Sequence, residues 1–359
     1  MGANLNDDIP GRVSRILDEA ISRGASDIHI EPTAQNSEIR YRVDGILLTA
    51  DRVPAELGRG IVTRLMVLAQ MLTYRLDVPQ EGRARFTPGE KGDAVELRVS
   101  IMPTTHGMRA AVRLPAELSQ PRSLETLGLS RPVLQGLQKF ATADSGMLLL
   151  TGPAGSGKTT TIYALLEYIA RTSPGLSIIA LEDPVERDLP GVTQIEVSPF
   201  GELTYERTLR SVLRQDPQVL MLGEIRDAIT AALAVQVALS GHRLISTLHA
   251  GTPGGAIARL IEMRIEPYQL TSAIFGVVSQ RLLRRKANNG YRGRVPVAEF
   301  MPMNDQLRPA VLKRADASEL QRIASEFDGY LDMRRAAQEL AARGITDEPE
   351  IQRVLGTGL

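Results

Sequence analysis

The sequence contains no cysteine, and this absence excludes disulfide bonds, cysteine-ligated zinc and thiol catalysis. Tryptophan is absent and aromatic residues make up only 4% of the chain, which disfavours stacking surfaces for single-stranded nucleic acid. Basic and acidic residues number 42 each, so no excess of positive charge indicates a nucleic-acid partner. No apolar run approaches the length of a membrane span. We therefore expect a cytoplasmic protein that binds no nucleic acid and does not insert directly into a membrane.

What the sequence does contain is a glycine-rich segment of informative spacing. Residues 152–159 match the phosphate-binding loop (P-loop) pattern G-x-x-x-x-G-K-[ST], with an apolar predicted strand before them and a predicted helix after them. We expect Lys158 to reach the β- and γ-phosphates and the Thr159 hydroxyl to be a Mg²⁺ ligand. The segment predicted to bind a nucleoside triphosphate consists of Gly152, Pro153, Ala154, Gly155, Ser156, Gly157, Lys158, Thr159 and Thr160.

The first part of the chain, residues 1–114, is predicted to be a small α+β domain. Apolar residues at helical spacing predict a helix from Ile9 to Ile21 and a second helix around residues 57–68. Alternating apolar and polar residues predict three strands, at 39–43, 95–101 and 108–114. The proline-bounded segment that follows predicts a linker at residues 115–124.

The remainder, residues 125–359, alternates apolar strands with helices. This order is typical of a parallel sheet covered on both faces. The predicted strands lie at 147–151, 177–181, 218–222 and 244–248, and the predicted helices between them lie at 204–214 and 227–239. Further helices are predicted at 267–284 and from 305 to the end. The fold class is therefore α/β, with a smaller α+β domain in front.

Three polar segments follow or flank these predicted strands. Residues 182–186 read Glu-Asp-Pro-Val-Glu, an apolar strand runs into Gly223-Glu224, and His242 and His249 bracket another strand. Ligands of open α/β sheets bind at the carboxyl ends of the strands, and triphosphate hydrolysis needs a group that positions water. A different interpretation makes His242 the residue after a helix terminator, with local hydrogen bonds only. Glu182 and Asp183 are likewise compatible with helix-capping or solvated loop carboxylates, and for Asp183 the two interpretations are equally favoured.

Taken together and in order, these motifs resemble those of the secretion ATPases of type II secretion and type IV pilus assembly. The resemblance covers nearly the whole chain. Its segments are 25–32, 42–45, 79–83, the P-loop, the "aspartate box" at 182–186, 213–217, the Walker B segment at 220–227 and the "histidine box" at 242–249. The patterns at 79–83 and 290–294 are more similar to the secretion and pilus-extension branch than to the retraction branch.

The resemblance implies a RecA-like P-loop NTPase domain with a smaller PAS-like α+β domain before it. It implies a hexameric ATPase that uses ATP and Mg²⁺ to drive pseudopilus or pilus assembly and protein secretion. Its partners would be inner-membrane platform proteins, which would hold it at the membrane periphery. A pilus-retraction motor, a DNA-translocating RecA-like motor and a nucleotide-gated scaffold remain as alternative functions.

The resemblance also implies roles for individual residues. Glu186 would polarise the attacking water. Glu224 would hold the magnesium, through a water, because Gly223 stands where many P-loop enzymes place aspartate. His242 and His249 would sense the γ-phosphate and couple it to domain movement.

Two arginines of the first domain belong to the same implied site. Arg98 and Arg113 would complete the charge around the phosphates when the domains close. Arg109 lies on the same strand face and is a weaker candidate. Without the resemblance, arginines on alternating strands most often form a solvated face.

The sequence departs from the family pattern in two ways. Members of the secretion branch usually carry a tetracysteine zinc hairpin before residues 290–294, whereas here Ala287-Asn288-Asn289 runs directly into Gly290. We therefore expect no zinc and a tight turn at this junction. The chain also begins almost at the second domain of longer relatives, so we expect the docking domain of those relatives to be absent, in a truncated or a short member.

Overall fold

A computed structural model describes residues 8–89, 93–114, 123–198 and 201–357 of the chain. Its residues divide into two compact units, Met1–Gln120 and Pro121–Leu359. Most of the predicted linker, residues 115–122, lies outside the described residues. The two units are presented separately.

The described residues of the first unit form two helices and one antiparallel sheet. The sheet order is β3-β2-β1-β6-β5-β4. The elements are α1 (Ile9–Ser22), β1 (Ala25–Pro32), β2 (Asn36–Val43), β3 (Ile46–Pro54), α2 (Ala55–Leu68), β4 (Gln80–Phe86), β5 (Val95–Thr104) and β6 (Gly107–Arg113). Both helices and the strands β2, β5 and β6 agree with the predictions, whereas β1, β3 and β4 were not predicted.

One face of this sheet packs with the helices into an apolar core, and the other face carries charged side chains. Strand alternation produces this division, because Ile28 and Ile30 on β1 are buried whereas Asp27, His29 and Glu31 share the other face. The outer face is therefore rich in arginine and acidic side chains. Arg98 and Arg113 belong to it.

The second unit contains, in chain order, a 3-10 turn at Leu124–Thr126 and then the elements that carry the P-loop. They are α3 (Arg131–Ala141), β7 (Gly146–Thr151), α4 (Lys158–Thr172), β8 (Ile178–Glu182), β9 (Thr193–Glu196), α5 (Tyr205–Val212), β10 (Val219–Leu222), α6 (Ala228–Leu239), β11 (Arg243–Leu248), α7 (Pro253–Glu262), α8 (Pro267–Ala273), β12 (Ile274–Ala287), β13 (Gly290–Pro302), α9 (Arg308–Leu312), α10 (Ala317–Ser325), α11 (Met333–Ala342) and α12 (Glu348–Leu355).

The sheet of this unit has the order β13-β12-β7-β11-β10-β8-β9. All neighbours pair in parallel except β12 and β13, which form an antiparallel hairpin at one edge. The strands β7, β8, β10 and β11 are buried along their whole length, since apolar clusters cover both faces of the sheet. Their carboxyl ends meet at one edge, where Thr151 is opposite Leu248 and Leu222 is opposite Leu181.

The prediction of a helix at 267–284 is wrong beyond Ala273. The chain enters β12 at Ile274, which pairs with β7 on one side and β13 on the other. Its apolar run includes Val277 and Val278, whose β-branched side chains favour a strand, and a run buried on both faces lacks the alternation that would distinguish it from a helix. The tight turn expected at Asn288-Asn289 is confirmed, because Ala287 pairs with Gly290 across it.

Among the described residues, no helix combines the length and apolarity needed to cross a bilayer.

Candidate ATP-binding and hydrolysis site

The P-loop connects the fully buried strand β7 to the first residue of α4. Gly152, Gly155 and Gly157 have φ angles of +145°, +73° and +85°, a region that side chains other than glycine rarely adopt. A Cβ atom at Gly152 would also lie 2.4 Å from the carbonyl oxygen of Gln280. The glycine spacing therefore specifies a turn that brings backbone amides to the start of a helix, where anions bind.

Lys158 lies in the first turn of α4, and its side chain folds back over the loop. Its Nζ donates hydrogen bonds to the carbonyl oxygens of Gly152 and Pro153, at 2.9 and 3.0 Å. Burial lowers the pKa of the Lys158 amine, the nearby Arg281 lowers it further, and Glu224 raises it. The ammonium therefore lies within the loop, where the charges of Arg281 and Glu224 shift its pKa in opposite directions.

A tyrosine of the P-loop helix connects the two glutamates of residues 182–186. The Tyr163 hydroxyl donates to the Glu182 carboxylate and accepts the Glu186 backbone N–H, at 3.1 Å. Glu182 is 3% exposed and also accepts from Gln194 Nε2 at 2.8 Å, so it is neither a helix cap nor a solvated loop carboxylate. Burial raises the pKa of Glu182. Tyr163 and Glu182 therefore anchor the loop that follows β8, and the exposed Glu186 side chain projects from this loop.

The Walker B carboxylate belongs to a polar cluster at the carboxyl ends of β8, β10 and β11. Arg226 Nε donates to Glu224 Oε1 at 2.7 Å, and Arg226 Nη1 lies 3.8 Å from Asp183 Oδ2. His249 Nε2 lies 3.9 Å from Glu224 Oε1, and half of the His249 side chain is exposed. Asp183 is thus part of an ion-pair cluster.

Gly223 precedes this cluster, where an aspartate is common in P-loop enzymes. A Cβ atom at Gly223 would lie 2.6 Å from the Tyr205 hydroxyl and 3.2 Å from the Leu181 carbonyl oxygen. No larger side chain fits there without movement of Tyr205. Glu224 is therefore the first acidic residue after β10.

The two histidines lie at opposite ends of β11. Parallel pairing places Arg243 beside Gly146, at the start of β7, and Leu248 beside Thr151, where the P-loop begins. At about 3.3 Å per strand residue, His242 is roughly 20 Å from His249. His242 Nδ1 contacts the Val237 carbonyl oxygen at 3.2 Å, as the interpretation with local hydrogen bonds predicts. The structure does not bring His242 to the P-loop, which disagrees with its predicted role as a γ-phosphate sensor within this subunit.

In the first unit, Arg98 on β5 stands directly opposite Arg113 on β6. Arg113 Nε lies 3.5 Å from Asp27 Oδ1, whereas Arg98 has no ion pair among the described residues. Arg109, the weaker candidate, is held by Glu31 and His29. Arg98 and Arg113 therefore share the charged face of the sheet, and Arg109 has local partners.

The donor groups of the second unit fit a magnesium–triphosphate. Thr159 and Glu224 supply the hard oxygen atoms that Mg²⁺ prefers, and a hydrated Mg²⁺ needs only one or two protein ligands. No cluster of three His, Cys, Asp or Glu residues that could hold a metal occurs within the described ranges. The buried Ser156 hydroxyl in the P-loop has no hydrogen-bond partner in the described protein, so it is available to a ligand.

Sequence reasoning missed three residues that contact this site: Tyr163, Gln280 and Arg281. Tyr163 carries no motif signal, since one tyrosine in an amphipathic helix is ordinarily a core residue. Gln280 and Arg281 lie in the strand that was predicted as helix. The adjacent residues Gln280-Arg281 in an apolar strand were the available signal, because a buried amide and guanidinium require polar partners.

Comparisons with known proteins identify the family of this chain. Residues 6–353 match the sequence profile of the family described as "Type II/IV secretion system protein". The chain is 35% identical to type II secretion system protein E of Xanthomonas campestris pv. campestris, over 95% of this chain and 66% of that protein. It is 38% identical to type II secretion system protein HxcR of Pseudomonas aeruginosa, over 95% of this chain and 76% of that protein.

Among solved structures, the pilus retraction motor PilT with bound ADP superposes with a TM-score of 0.67 and 27% identity. That alignment covers 95% of this chain and 96% of PilT. The α/β architecture of the second unit is thus that of a RecA-like P-loop NTPase. The chain belongs to the type II/IV secretion system protein family, and it is an ATPase.

Proposed function

We propose that this chain is the hexameric, Mg²⁺-dependent ATPase motor of a type II secretion or type IV pilus assembly machine. It would act in the cytoplasm and pass work to platform proteins of the inner membrane. The observation that carries this proposal is the convergence of the P-loop, Glu186, Glu224 and His249 at one edge of a single sheet.

Nucleotide binding is the role of the P-loop and Lys158. The Lys158 ammonium would exchange its two carbonyl partners for β- and γ-phosphate oxygens, while loop amides bind the remaining phosphate oxygens. Thr159 and Glu224 would hold the magnesium, Glu224 through a water. Bound Mg²⁺ supplies neutralisation of charge on the phosphates.

Glu186 would orient the attacking water and accept its proton. Support for this role comes from its tether, since Tyr163 joins the Glu186 backbone to both the P-loop helix and Glu182. The carboxylate is exposed at the loop surface and therefore reachable by water. Positioning and electrostatic stabilisation dominate phosphoryl transfer, so a fixed loop favours catalysis.

His249 would sense the γ-phosphate through Glu224. A ligand or water held by Glu224 competes with Arg226 and His249 for the same carboxylate oxygen. Nucleotide state can thus change the partners of Arg226, which also faces Asp183. His242 is left out of this proposed sensor.

Arg98 and Arg113 would supply positive charge to the phosphates. Like charges directly opposite on neighbouring strands destabilise a sheet. Asp27 already pairs with Arg113, so an anion beside Arg98 would relieve the part of that cost that remains. An arginine at the developing phosphate charge is worth about 10³–10⁵ in rate.

Steady-state phosphate release tests the proposal. Lys158→Ala should abolish turnover, and Glu186→Gln should lower kcat by roughly 10²–10⁴-fold while ATP still binds. Asp188→Asn, two residues from Glu186 in the same loop, is the matched control and should retain wild-type kcat. ATP turnover that persists in Lys158→Ala would refute hydrolysis at the P-loop. If the ATPase acts as a ring, its specific activity should rise with protein concentration as subunits assemble. The mass in solution, measured with a non-hydrolysable ATP analogue and Mg²⁺, should be that of a hexamer.

A further inference from the structure

Gln280 lies directly against the P-loop and belongs to none of the motifs above. It is 1% exposed and projects from β12. Its Nε2 donates to the Ser156 carbonyl oxygen at 2.8 Å, and its Oε1 accepts from Thr161 Oγ1 at 2.9 Å. The amide thus connects the loop to the first turns of α4.

Gln280 contacts the P-loop closely both through its side chain and through its backbone. A Cβ atom at Gly157 would lie 2.9 Å from Gln280 Nε2, and one at Gly152 would lie 2.4 Å from the Gln280 carbonyl oxygen. The backbone of Gln280 is itself fixed, because Arg281 Nη1 donates to its carbonyl oxygen and Arg281 Nη2 donates to that of Gly251, each at 2.9 Å. Strand β12 is therefore the surface against which the loop folds.

The hydrogen bond to Ser156 determines the direction of a backbone amide. In a planar trans peptide, the C=O of Ser156 and the N–H of Gly157 point in opposite directions. Holding the Ser156 oxygen toward the Gln280 amide therefore turns the Gly157 N–H away from that side chain. A phosphate oxygen on that side of the peptide would meet a donor already in position.

Only an amide satisfies both partners at this place. Ser156 offers an acceptor and Thr161 a donor, so the side chain between them must donate at one end and accept at the other. A carboxylate at position 280 would accept from Thr161 but face the Ser156 oxygen without a proton. A leucine would leave both groups buried and unpaired.

We propose that Gln280 is a positioning residue for nucleotide binding, which sets the Ser156–Gly157 peptide in its phosphate-binding orientation. This inference rests on the proposed function, since it concerns the same loop. The orientation serves the ground state and the transition state alike. Loss of Gln280 should therefore raise Kd and KM for ATP while kcat changes less than twofold.

The test is direct ATP binding and steady-state kinetics on the full chain. Gln280→Leu and Gln280→Glu should weaken ATP binding about tenfold, the effect of about one to two lost hydrogen bonds. Thr161→Val should weaken it about threefold, because the amide keeps its bond to Ser156 but loses its anchor. Thr161→Ser restores a hydroxyl and should bind ATP like the wild type.

Gln218→Leu is the matched control for a loss of stability alone. Gln218 lies just before β10, at the amino ends of the parallel strands and away from the P-loop. Its Oε1 accepts the Ser177 N–H at 2.6 Å. It should lower the melting temperature and leave KM unchanged.

A folded Gln280→Leu with wild-type KM would overturn the inference, as would an equal rise of KM in Gln218→Leu. Should Gln280→Leu not fold, unchanged binding in Thr161→Val would overturn it. A wild-type chain that neither binds nor hydrolyses ATP would instead refute the proposed function.

Discussion

Tyr163→Phe removes one oxygen atom from the buried connection between Glu182 and Glu186. The ring stays in place, since Tyr163 is 3% exposed and Arg187 lies over it at 5.3 Å. Two hydrogen bonds are lost, one to a carboxylate and one from a backbone N–H. The change is therefore local.

The two lost hydrogen bonds determine how much stability and activity Tyr163→Phe should lose. A hydrogen bond to a charged group contributes about 1.5–3 kcal/mol and a neutral one about 1 kcal/mol, so the loss of both should lower the free energy of unfolding by about 3 kcal/mol at pH 7. The bond that holds the Glu186 backbone is neutral and worth about 1 kcal/mol, so kcat should fall about fivefold with KM unchanged.

The pH dependence follows from Glu182. Burial raises its pKa above the ordinary value of 4.5, and the Tyr163 hydrogen bond acts in the opposite direction. Tyr163→Phe removes that bond and so raises the pKa further. A raised pKa in the folded state favours the native protein at low pH, and this advantage is lost as pH rises through the folded value. The destabilisation should therefore be small near pH 4 and grow toward pH 7.

The assay is phosphate release together with urea denaturation at several pH values. Tyr168→Phe is the matched control, because Tyr168 is on the same helix and its hydroxyl makes no hydrogen bond within the described ranges. It should alter neither kcat nor stability. A Tyr163→Phe protein with reduced stability but wild-type kcat would show that the connection does not position Glu186.

Two other predictions separate local from distant effects. His249→Ala should lower kcat more than tenfold, whereas His242→Ala should keep wild-type turnover. Equal losses of phosphate release in the two variants would refute the proposal that His249, and not His242, senses the γ-phosphate. Glu350 on α12 is fully buried. Burial opposes its ionisation, but hydrogen bonds from Arg353 and Arg284 outweigh this and lower its pKa to about 2. A lowered pKa stabilises the protein above the unfolded value, so Glu350→Gln should cost about 3 kcal/mol at pH 7. Denaturation at pH 3 should show a smaller loss of stability in Glu350→Gln. A loss of stability that does not change with pH would contradict the lowered pKa of Glu350.

Much of the fold was predictable where the signal is local. The P-loop is a backbone conformation that glycine spacing encodes by itself, and its strand and helix are neighbours in the chain. The amphipathic helices α1 and α2 follow from one apolar stripe each. The strand β12 was mispredicted because its apolar run is buried on both sides, and only its pairing with β7 and β13 decides that it is a strand.

The candidate site was only partly predictable. The motifs indicated which segments carry its chemistry, but a motif does not specify the end of a strand at which a side chain lies. His242 and His249 illustrate this, since both flank β11 and only His249 lies at the edge where the P-loop begins.

By itself, the sequence determined that a phosphate-binding loop is present, and the order of its motifs indicated the family. Tertiary structure alone decided which polar groups support that loop. Tyr163 reaches Glu182 across 19 positions, and Gln280 reaches Ser156 across 124. Contacts at such separations leave no periodic trace along the chain, because sheet order and strand register create them.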